Sequence, residues 1–423
     1  MTQTTETEIP TSRHAPIVIA GGGLVGMTLA IALAAERLDV VVVEAVPFDI
    51  TTAPEFDGRV SAISASSVRL FRALGLWDDL APHAQPINDI LVSDGRPGEA
   101  PSPMTLHFDP RALNIDGQPV EPLGHLIENR HMRQALIEAT QQLPHIKIMA
   151  PASVTGIDQG AASVAVMIRD QPPIQAELVI AADGKQSPLR KAAGIRTIGW
   201  NYKQSAIVTT VEHEMPHHGM AHELFLPSGP FAILPMVGNR SSIVWTETGD
   251  LAPRFMKLPD ADFAHELTRR FGAHWGRVAP VGPRWCYPLG LQLARGYVLP
   301  RLALIGDAAH AIHPIAGQGF NLGLRDVAAL AQVLIEGARL GRDLGDVHLL
   351  KTYERWRRAD NVTLAAATDG LVRLFSTDLA PVRLMRDMGL GLVAQIAPLK
   401  NLFMRHAMGD VGAKPKLLDG LPV

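Results

Sequence analysis

At 423 residues the chain is longer than a single hydrophobic core usually grows, so two intertwined domains are expected. A net charge of −3 and a pI near 6.6 give no electrostatic reason for a nucleic-acid partner. One cysteine, Cys286, rules out an intrachain disulfide and fits a reducing cytoplasm, and no apolar run reaches the roughly 18 residues that a bilayer span needs.

Residues 1–12 lack the basic start and apolar core of a secretory signal and read as a disordered tail. Pro16 to Ala20 reads as a strand, Gly21 to Gly26 supplies GxGxxG, and Met27 to Leu38 reads as a helix. Gly21 permits the tight turn, Gly23 lets backbone reach a pyrophosphate, and Gly26 lets the helix pack on the strand. Leu24 and Val25 sit at the helix N-terminus, which favours phosphate. Asp39 to Val43 is the second strand, ending in Glu44, an acid suited to a ribose hydroxyl. The motif by itself does not separate FAD from NAD. Residues 86–125 are rich in Pro, Gly and Asp and read as irregular structure with short strands.

Leu178 to Ala182 is a further apolar strand, ending in Asp183-Gly184 and followed by a helix start. Between 200 and 296 short runs, Ala206–Val211, Ala232–Pro235 and Ser242–Thr246, predict an antiparallel sheet. Leu302 to Ile305 reads as a buried parallel strand, and Gly306-Asp307 places a carboxylate at its carboxyl end, able to accept from sugar-alcohol hydroxyls. Gly317 and Gly319 let backbone approach a flat ring, and a helix opening near Phe320-Asn321 aims free N–H groups and a positive dipole end at it. Beyond about residue 340 the pattern is helical.

In this order the three segments resemble the fingerprints of the para-hydroxybenzoate hydroxylase class of FAD monooxygenases. HPIAGQGFNLGLRD, residues 313–326, is similar to the signature of the ubiquinone-biosynthesis hydroxylases, which oxidise polyprenyl phenols. Supporting stretches are Arg59 to Ser64 with Leu74 to Trp77, GHLIENRHMRQAL at 124–136, and Phe225 to Pro235; the resemblance covers roughly 15–410. It implies an α/β fold: a discontinuous Rossmann-like FAD-binding domain (14–84, 126–199, 297–345), an interleaved antiparallel substrate sheet (85–125, 200–296) and a C-terminal helical region (346–423). It also implies that Arg59 and Arg130 contact phosphate or ribityl oxygens, and that the Pro314 carbonyl on the loop crossing the flavin contacts peroxide or substrate. His313 beside it is a second candidate for substrate or flavin contact, against a packed structural role; for His310 the structural role is preferred.

The implied chemistry is hydroxylation of a polyprenylated phenol through a flavin C4a-hydroperoxide, using O2. NAD(P)H, visiting without a tight site of its own, is the electron donor. A base near the ring hydroxyl is useful, and the sequence does not identify it. Two alternatives stand: the same fold acting on a soluble aromatic, and a flavin-bound scaffold of a quinone-synthesis complex. No metal site is expected. His213, His217, His218 and His222 lack acidic or cysteine partners at ligand spacing and read as a solvated loop. Gly389 to Ala394 matches GxGxxA but lacks the strand before it and the acid after it. Lys185 and Ser187 resemble a phosphate loop without its required glycine. Between Leu371 and Met408, Arg373, Arg383, Arg386, Lys400 and Arg405 are interspersed with apolar residues. That pattern suits either peripheral docking on the cytoplasmic membrane face or a helix packed on its own domain.

Overall fold

The computed structural model describes residues 16–53, 58–99, 102, 105–113, 121–375, 396–410 and 412–423. Six strands form the central sheet, in the spatial order Val298–Leu299 (β18), Leu302–Leu304 (β19), Leu178–Ala181 (β12), Ile17–Ala20 (β1), Val40–Val43 (β2) and Ile146–Met149 (β8). Only β18 runs antiparallel to its neighbour. Strands β1, β2, β12 and β19 are uninterrupted apolar runs, buried along their length. Such runs suit a parallel sheet covered on both faces. Leu24–Ala35 (α1) and Gln318–Arg339 (α5) supply part of that cover and share one core with the sheet. Helix α1 begins at Leu24 rather than the expected Met27, because Gly23 is the extended N-cap, and it stops before Arg37, whose φ of 62° is left-handed.

The large sheet has eight strands, in the order His310–Ala311 (β20), Val278–Ala294 (β17), Thr197–His213 (β13), Arg240–Thr248 (β16), Gly229–Met236 (β15), Met220–Leu226 (β14), Asp89–Asp94 (β5) and Leu106–Phe108 (β6). It is antiparallel, as the turn-punctuated runs predict, except that β14 and β5 pair in parallel. One face packs on helix Asp260–Phe271 (α4) through Trp245, Phe231, Phe263 and Phe271. The other faces the parallel-sheet layer. A smaller antiparallel sheet of Val60–Ser64 (β3), Gly124–Glu128 (β7) and Gln85–Ile87 (β4) lies between the two layers in the chain. Helix Asn129–Gln141 (α3) follows β7. Strands Val154–Gln159 (β9), Val164–Ile168 (β10) and Ile174–Ala176 (β11) form a separate antiparallel sheet. Val347–Phe375 (α6) and Ala397–Met408 (α7) are the C-terminal helices. Arg383, Arg386 and the GxGxxA at 389–394 lie outside the described residues.

Asp326, fully buried on α5, joins these parts. Its carboxylate accepts from the Gly306 N–H at 3.0 Å, His310 Nε2 at 2.5 Å, Arg357 Nε at 2.9 Å and Asn361 Nδ2 at 3.3 Å. Gly306 begins the turn after β19, His310 belongs to β20 of the large sheet, and Arg357 and Asn361 lie on α6. Burial alone would raise the carboxyl pKa, but His310 and Arg357 beside it hold it below 3.8. A carboxylate with a lowered folded pKa contributes stability that is present above the unfolded value and is lost as pH falls through the folded one. Asp326→Asn should therefore shift the urea midpoint at neutral pH by an amount equivalent to about 3–5 kcal/mol, because Arg357 loses its buried counter-charge. Its stability should also fall less steeply than wild type below about pH 4. Equal midpoints and equal acid limbs would show that the network carries no weight.

Candidate active site

Strands β19, β12, β1 and β2 are neighbours, and their carboxyl ends are zipped by successive backbone bonds. The Ile305 N–H donates to Ala181 at 3.0 Å, Ala182 to Ala20 at 2.8 Å, and Gly21 to Val43 at 2.8 Å. Asp307, Asp183, the Gly21–Gly26 turn and Glu44 consequently leave one sheet edge side by side. Adjacent strands lie about 4.8 Å apart, so the row spans roughly 15 Å. In this sheet the chain passes from β1 to β2 on one side and from β12 to β18 and β19 on the other, so the switch point where open α/β sheets bind ligands lies between β1 and β12.

The glycines of the first turn divide by what surrounds them. A Cβ on Gly21, which has φ +109°, would stand 2.4 Å from the Ala182 carbonyl, and one on Gly26 would stand 2.0 Å from the Gly21 carbonyl. Those two are filled by protein. A Cβ on Gly23 would meet nothing within 4 Å, and Gly23 caps α1 without a side-chain hydrogen bond, so the first-turn N–H groups face open space. Val25 packs under the turn: a Cβ on Gly323 would lie 2.7 Å from its Cγ2, and one on Gly306 3.3 Å from its Cγ1. Glu44 accepts from the Gly22 N–H at 2.6 Å and the Val46 N–H at 2.9 Å, which fixes its carboxylate beside the same opening. Leu24 lines that opening with Gly22 and Gly23.

Arg190, 2 % exposed, clamps the second and third turns. It donates to the Ala308 carbonyl and to the Lys185 carbonyl, both at 2.8 Å. Asp183 accepts from the Leu189 N–H at 3.2 Å through one oxygen; the other is buried without a partner among the described residues, and burial raises its pKa. Asp307 is more than one-third exposed, yet the surrounding protein raises its pKa by desolvation, against the opposing charges of His310, Arg59 and Lys185. That combination describes a carboxylate on the floor of a narrow cleft. Arg59, distant in sequence, reaches the same cleft, with its guanidinium 5.5 Å from the Tyr287 ring centroid.

At the next loop, Pro314 is exposed and its carbonyl accepts from the Gly317 N–H at 2.9 Å. Gly317, at φ +63°, is the uncapped N-cap of α5, and a Cβ on Gly319 would again meet nothing. Phe320 is half-buried against the main core. The Asn321 side chain is 1 % exposed and spent on protein: it accepts from the Ser64 N–H and Ser67 Oγ, each at 2.9 Å, and donates to the Ala62 carbonyl at 2.9 Å. It ties β3 to the start of α5, and only its backbone faces the turn. His310 is structural, bound to Asp326. His313 accepts from the Ile315 N–H at 3.2 Å through Nδ1, lies edge-on to Tyr202, and leaves Nε2 buried without a partner among the described residues. Burial lowers its pKa to about 4, so it is neutral at neutral pH.

One expectation changes. The four histidines between 213 and 222 do not form a solvated loop. His213, 4 % exposed, donates or accepts at Met215 O (2.7 Å) and Ser241 Oγ (2.9 Å), while His217 contacts the Met236 and Gly238 carbonyls. His222 lies edge-on to Trp275, and burial lowers its pKa to about 4; only His218 is exposed. His213 ends β13 and His222 lies in β14, which extend further than their apolar runs, while His217 and His218 lie in the turn between them. Arg130, which the resemblance implies contacts phosphate or ribityl oxygens, pairs with Glu128 at 2.8 Å. Arg133, one turn along α3, lines the opening over Gly22 and Gly23. A helical i, i+3 count from Arg130 could have raised it. Lys185, discarded as part of a phosphate loop, stands near Asp307. Ser187 instead caps the short helix Pro188–Ala192, accepting from the Arg190 N–H at 2.9 Å.

An uncapped helix start over empty space, an acid beside it, an orphaned buried carboxylate oxygen and a second uncapped helix start fit a dinucleotide that carries a flat ring. Comparison with known proteins agrees. The FAD binding domain family matches residues 14–367. The chain is 50% identical over 414 residues to ubiquinone hydroxylase UbiL of Rhodospirillum rubrum, covering 97% of this chain and 94% of that one. It is 35% identical to 3-demethoxyubiquinol 3-hydroxylase of Escherichia coli, covering 94% and 100%. Among solved structures, p-nitrophenol 4-monooxygenase PnpA of Pseudomonas putida superposes with a TM-score of 0.77 at 20% identity, over 95% of this chain and 99% of that one, which shows a shared fold.

The glycine geometry separates a binding role from a folding role. Gly23→Ala should keep its thermal midpoint and lose FAD affinity by about tenfold or more, equivalent to about 1.4 kcal/mol. Gly21→Ala should lose stability by about 1–3 kcal/mol or more, because its left-handed backbone and the Ala182 carbonyl both oppose a side chain. Calorimetry and flavin titration read the two effects separately, and unchanged affinity in Gly23→Ala would remove the pyrophosphate from this turn.

Proposed function

This chain belongs to the FAD binding domain family, and we propose on that premise that it is an FAD-dependent hydroxylase of ubiquinone biosynthesis acting on the ring of a polyprenylated phenol. The observation that carries the reading is the row of turns at one sheet edge, facing a large sheet whose β20 edge grows from the Gly306–Asp307 turn itself. Half-identity to a ubiquinone hydroxylase over nearly the whole of both chains favours a quinone precursor over a soluble aromatic.

Bound FAD, reduced by NAD(P)H, supplies activation of O2 for transfer of one oxygen atom to an electron-rich ring. The chain's own groups bind and orient. Glu44 is positioned for a ribose hydroxyl, the N–H groups after Gly23 and the Arg133 guanidinium for the pyrophosphate, and Asp307 with Arg59 for the ribityl chain. The N-terminus of α5, opening at Gly317 to Phe320, favours negative charge on the reduced ring. On the other side, Phe225, Leu106, Ile315, Val372 and Phe375 form an apolar wall that excludes water and suits a phenol. FAD-loaded protein given NAD(P)H, O2 and a prenylated phenol should release a product heavier by one oxygen atom. Flavin that is reduced and reoxidised with no such product, across a panel of quinone precursors, would sink the reading.

A lipid-tailed substrate calls for contact with membrane, and no described helix is long and apolar enough to cross one. The C-terminal helices instead expose Leu371, Leu374, Ile396, Leu402 and Phe403 near the basic residues Arg373, Lys400 and Arg405. This supports peripheral docking on an anionic bilayer. Binding to anionic vesicles should exceed binding to neutral ones and weaken with salt, since exposed charges are screened beyond about 8–10 Å. Replacing Leu402 and Phe403 by Ser should reduce cosedimentation and spare turnover of a short-tailed phenol. Equal loss of both would assign the helix to the fold.

A further inference from the structure

The face of the large sheet that looks toward the parallel-sheet layer is built from alternate residues of each strand. At one level the register runs Leu106, Val92, Glu223, Ala232, Val244, Val208 and Trp285. Glu223 is the one ionisable side chain in that row. Its strand neighbours on the same face anchor it on both sides. Phe225 packs with Ile315 of the loop before α5 and with Val372 and Phe375 of α6, while Ala221 packs with Ile87, Leu126 and Met236 and, through them, against Val60 and Ala62 of β3. Since β3 also meets Gly317, where a Cβ would stand 3.0 Å from Ala62, both clusters border the loop that crosses the cofactor side. Glu223 stands between them.

The Glu223 side chain is half-buried, and its carboxyl takes no hydrogen bond or ion pair from any described residue. The other ionisable groups on or opposite this face are engaged elsewhere or neutral. Asp94 of β5 accepts from the Gly95 N–H at 3.0 Å, Arg240 of β16 faces Glu128 at 3.5 Å, and Arg373 of α6 pairs with Asp369 at 2.8 Å. Across the cleft, Arg59 lies over Tyr287, Asp307 is among His310, Arg59 and Lys185, and His313 is neutral. Burial alone pushes the Glu223 pKa up to about 8. An unpartnered carboxyl in an apolar wall costs stability, so its position is explained by a ligand that brings the partner.

We infer that Glu223 is the base of the hydroxylation, taking the proton of the substrate's ring hydroxyl. The inference rests on the reading of the substrate as a phenol. In the step the phenol O–H bond breaks, its electron pair stays on oxygen as phenolate, and the proton goes to the Glu223 carboxylate. No electrons are exchanged with the cofactor. The phenolate pushes electron density to the ring carbons ortho and para to it, where the new C–O bond forms with an oxygen atom taken from O2 as the O–O bond breaks. That ring carbon then loses its hydrogen as a proton to solvent, and Glu223 returns its own proton to the original oxygen, so the ring regains aromaticity and the carboxylate is regenerated.

The test uses FAD-loaded wild type, Glu223→Gln and Glu223→Asp with a short-tailed prenyl phenol. The pH profile of single-turnover hydroxylation reports the base, because the proton transfer needs the carboxylate form. In wild type the rate should rise with pH through about 8, as the Glu223 carboxylate forms, well below the value of about 10 of a free phenol. In Glu223→Gln it should rise only near that free value, and kcat at neutral pH should fall about 100-fold or more. Flavin content, melting temperature and the rate of flavin reduction by NAD(P)H should be unchanged. Glu223→Asp should recover part of the loss, and a fluorinated, more acidic phenol should recover most of it in Glu223→Gln. A wild-type pH profile and kcat in Glu223→Gln would overturn the inference, as would loss of flavin or of the melting transition in that variant, which would make the residue structural. Wild type that hydroxylates no phenol would instead overturn the functional reading itself.

Discussion

The carboxylate of Asp326 is the point on which three otherwise separate pieces of chain agree. It has no access to water, and four donors converge on it from the Gly306 turn, from β20 and from α6. A buried ion pair is weak evidence for stability in general, because desolvation offsets most of the attraction. What it supplies here is register. Gly306 cannot move relative to α5 without uncovering a charge, and Asp307 is the next residue. The same carboxylate holds His310, so the edge of the large sheet is fixed to the turn that carries Asp307. The two layers of the molecule meet through this bond network as well as through apolar packing.

Around that anchor the cleft is polar on one side and apolar on the other. Backbone N–H groups, carboxylates and arginines line the parallel-sheet edge, where a charged dinucleotide would be stabilised. The opposing sheet offers aliphatic and aromatic side chains, with a single carboxyl among them. Desolvation acts on both sides in the same direction: it raises the acids Asp183, Asp307 and Glu223 and lowers His313. Electrostatic contacts made there once water is expelled are stronger than in open solvent.

The glycines show how one residue type serves two ends. At Gly21, Gly26 and Gly323 a side chain would strike protein, and at Gly23 and Gly319 it would enter empty space. The first group lets α1 and α5 approach the sheet closely enough to share Val25 as a common wedge. The second leaves helix starts bare. Sequence motifs do not distinguish the groups, since both appear as G.

Residue order alone settles whatever a short window encodes. Four-residue apolar strands, each ending in a glycine or an acid before a helix start, are complete within a dozen residues, so the flavin turns, the family and its chemistry were legible there. The alternating runs after residue 200 likewise announced a sheet, because period-two burial is a local property. The tertiary structure decided everything that depends on which strand lies beside which. The row from Asp307 to Glu44 exists because β19, β12, β1 and β2 are neighbours, although the chain visits them far apart. The histidines of β13 and β14 became packed residues because Trp275 covers them from outside their own strands. Arg133 rather than Arg130 borders the first turn because the rotation of α3 is fixed by packing. No sequence motif marks Glu223. Its meaning depends on which face of β14 meets the cleft, and that choice is made by Phe225 and Ala221 finding partners in distant segments.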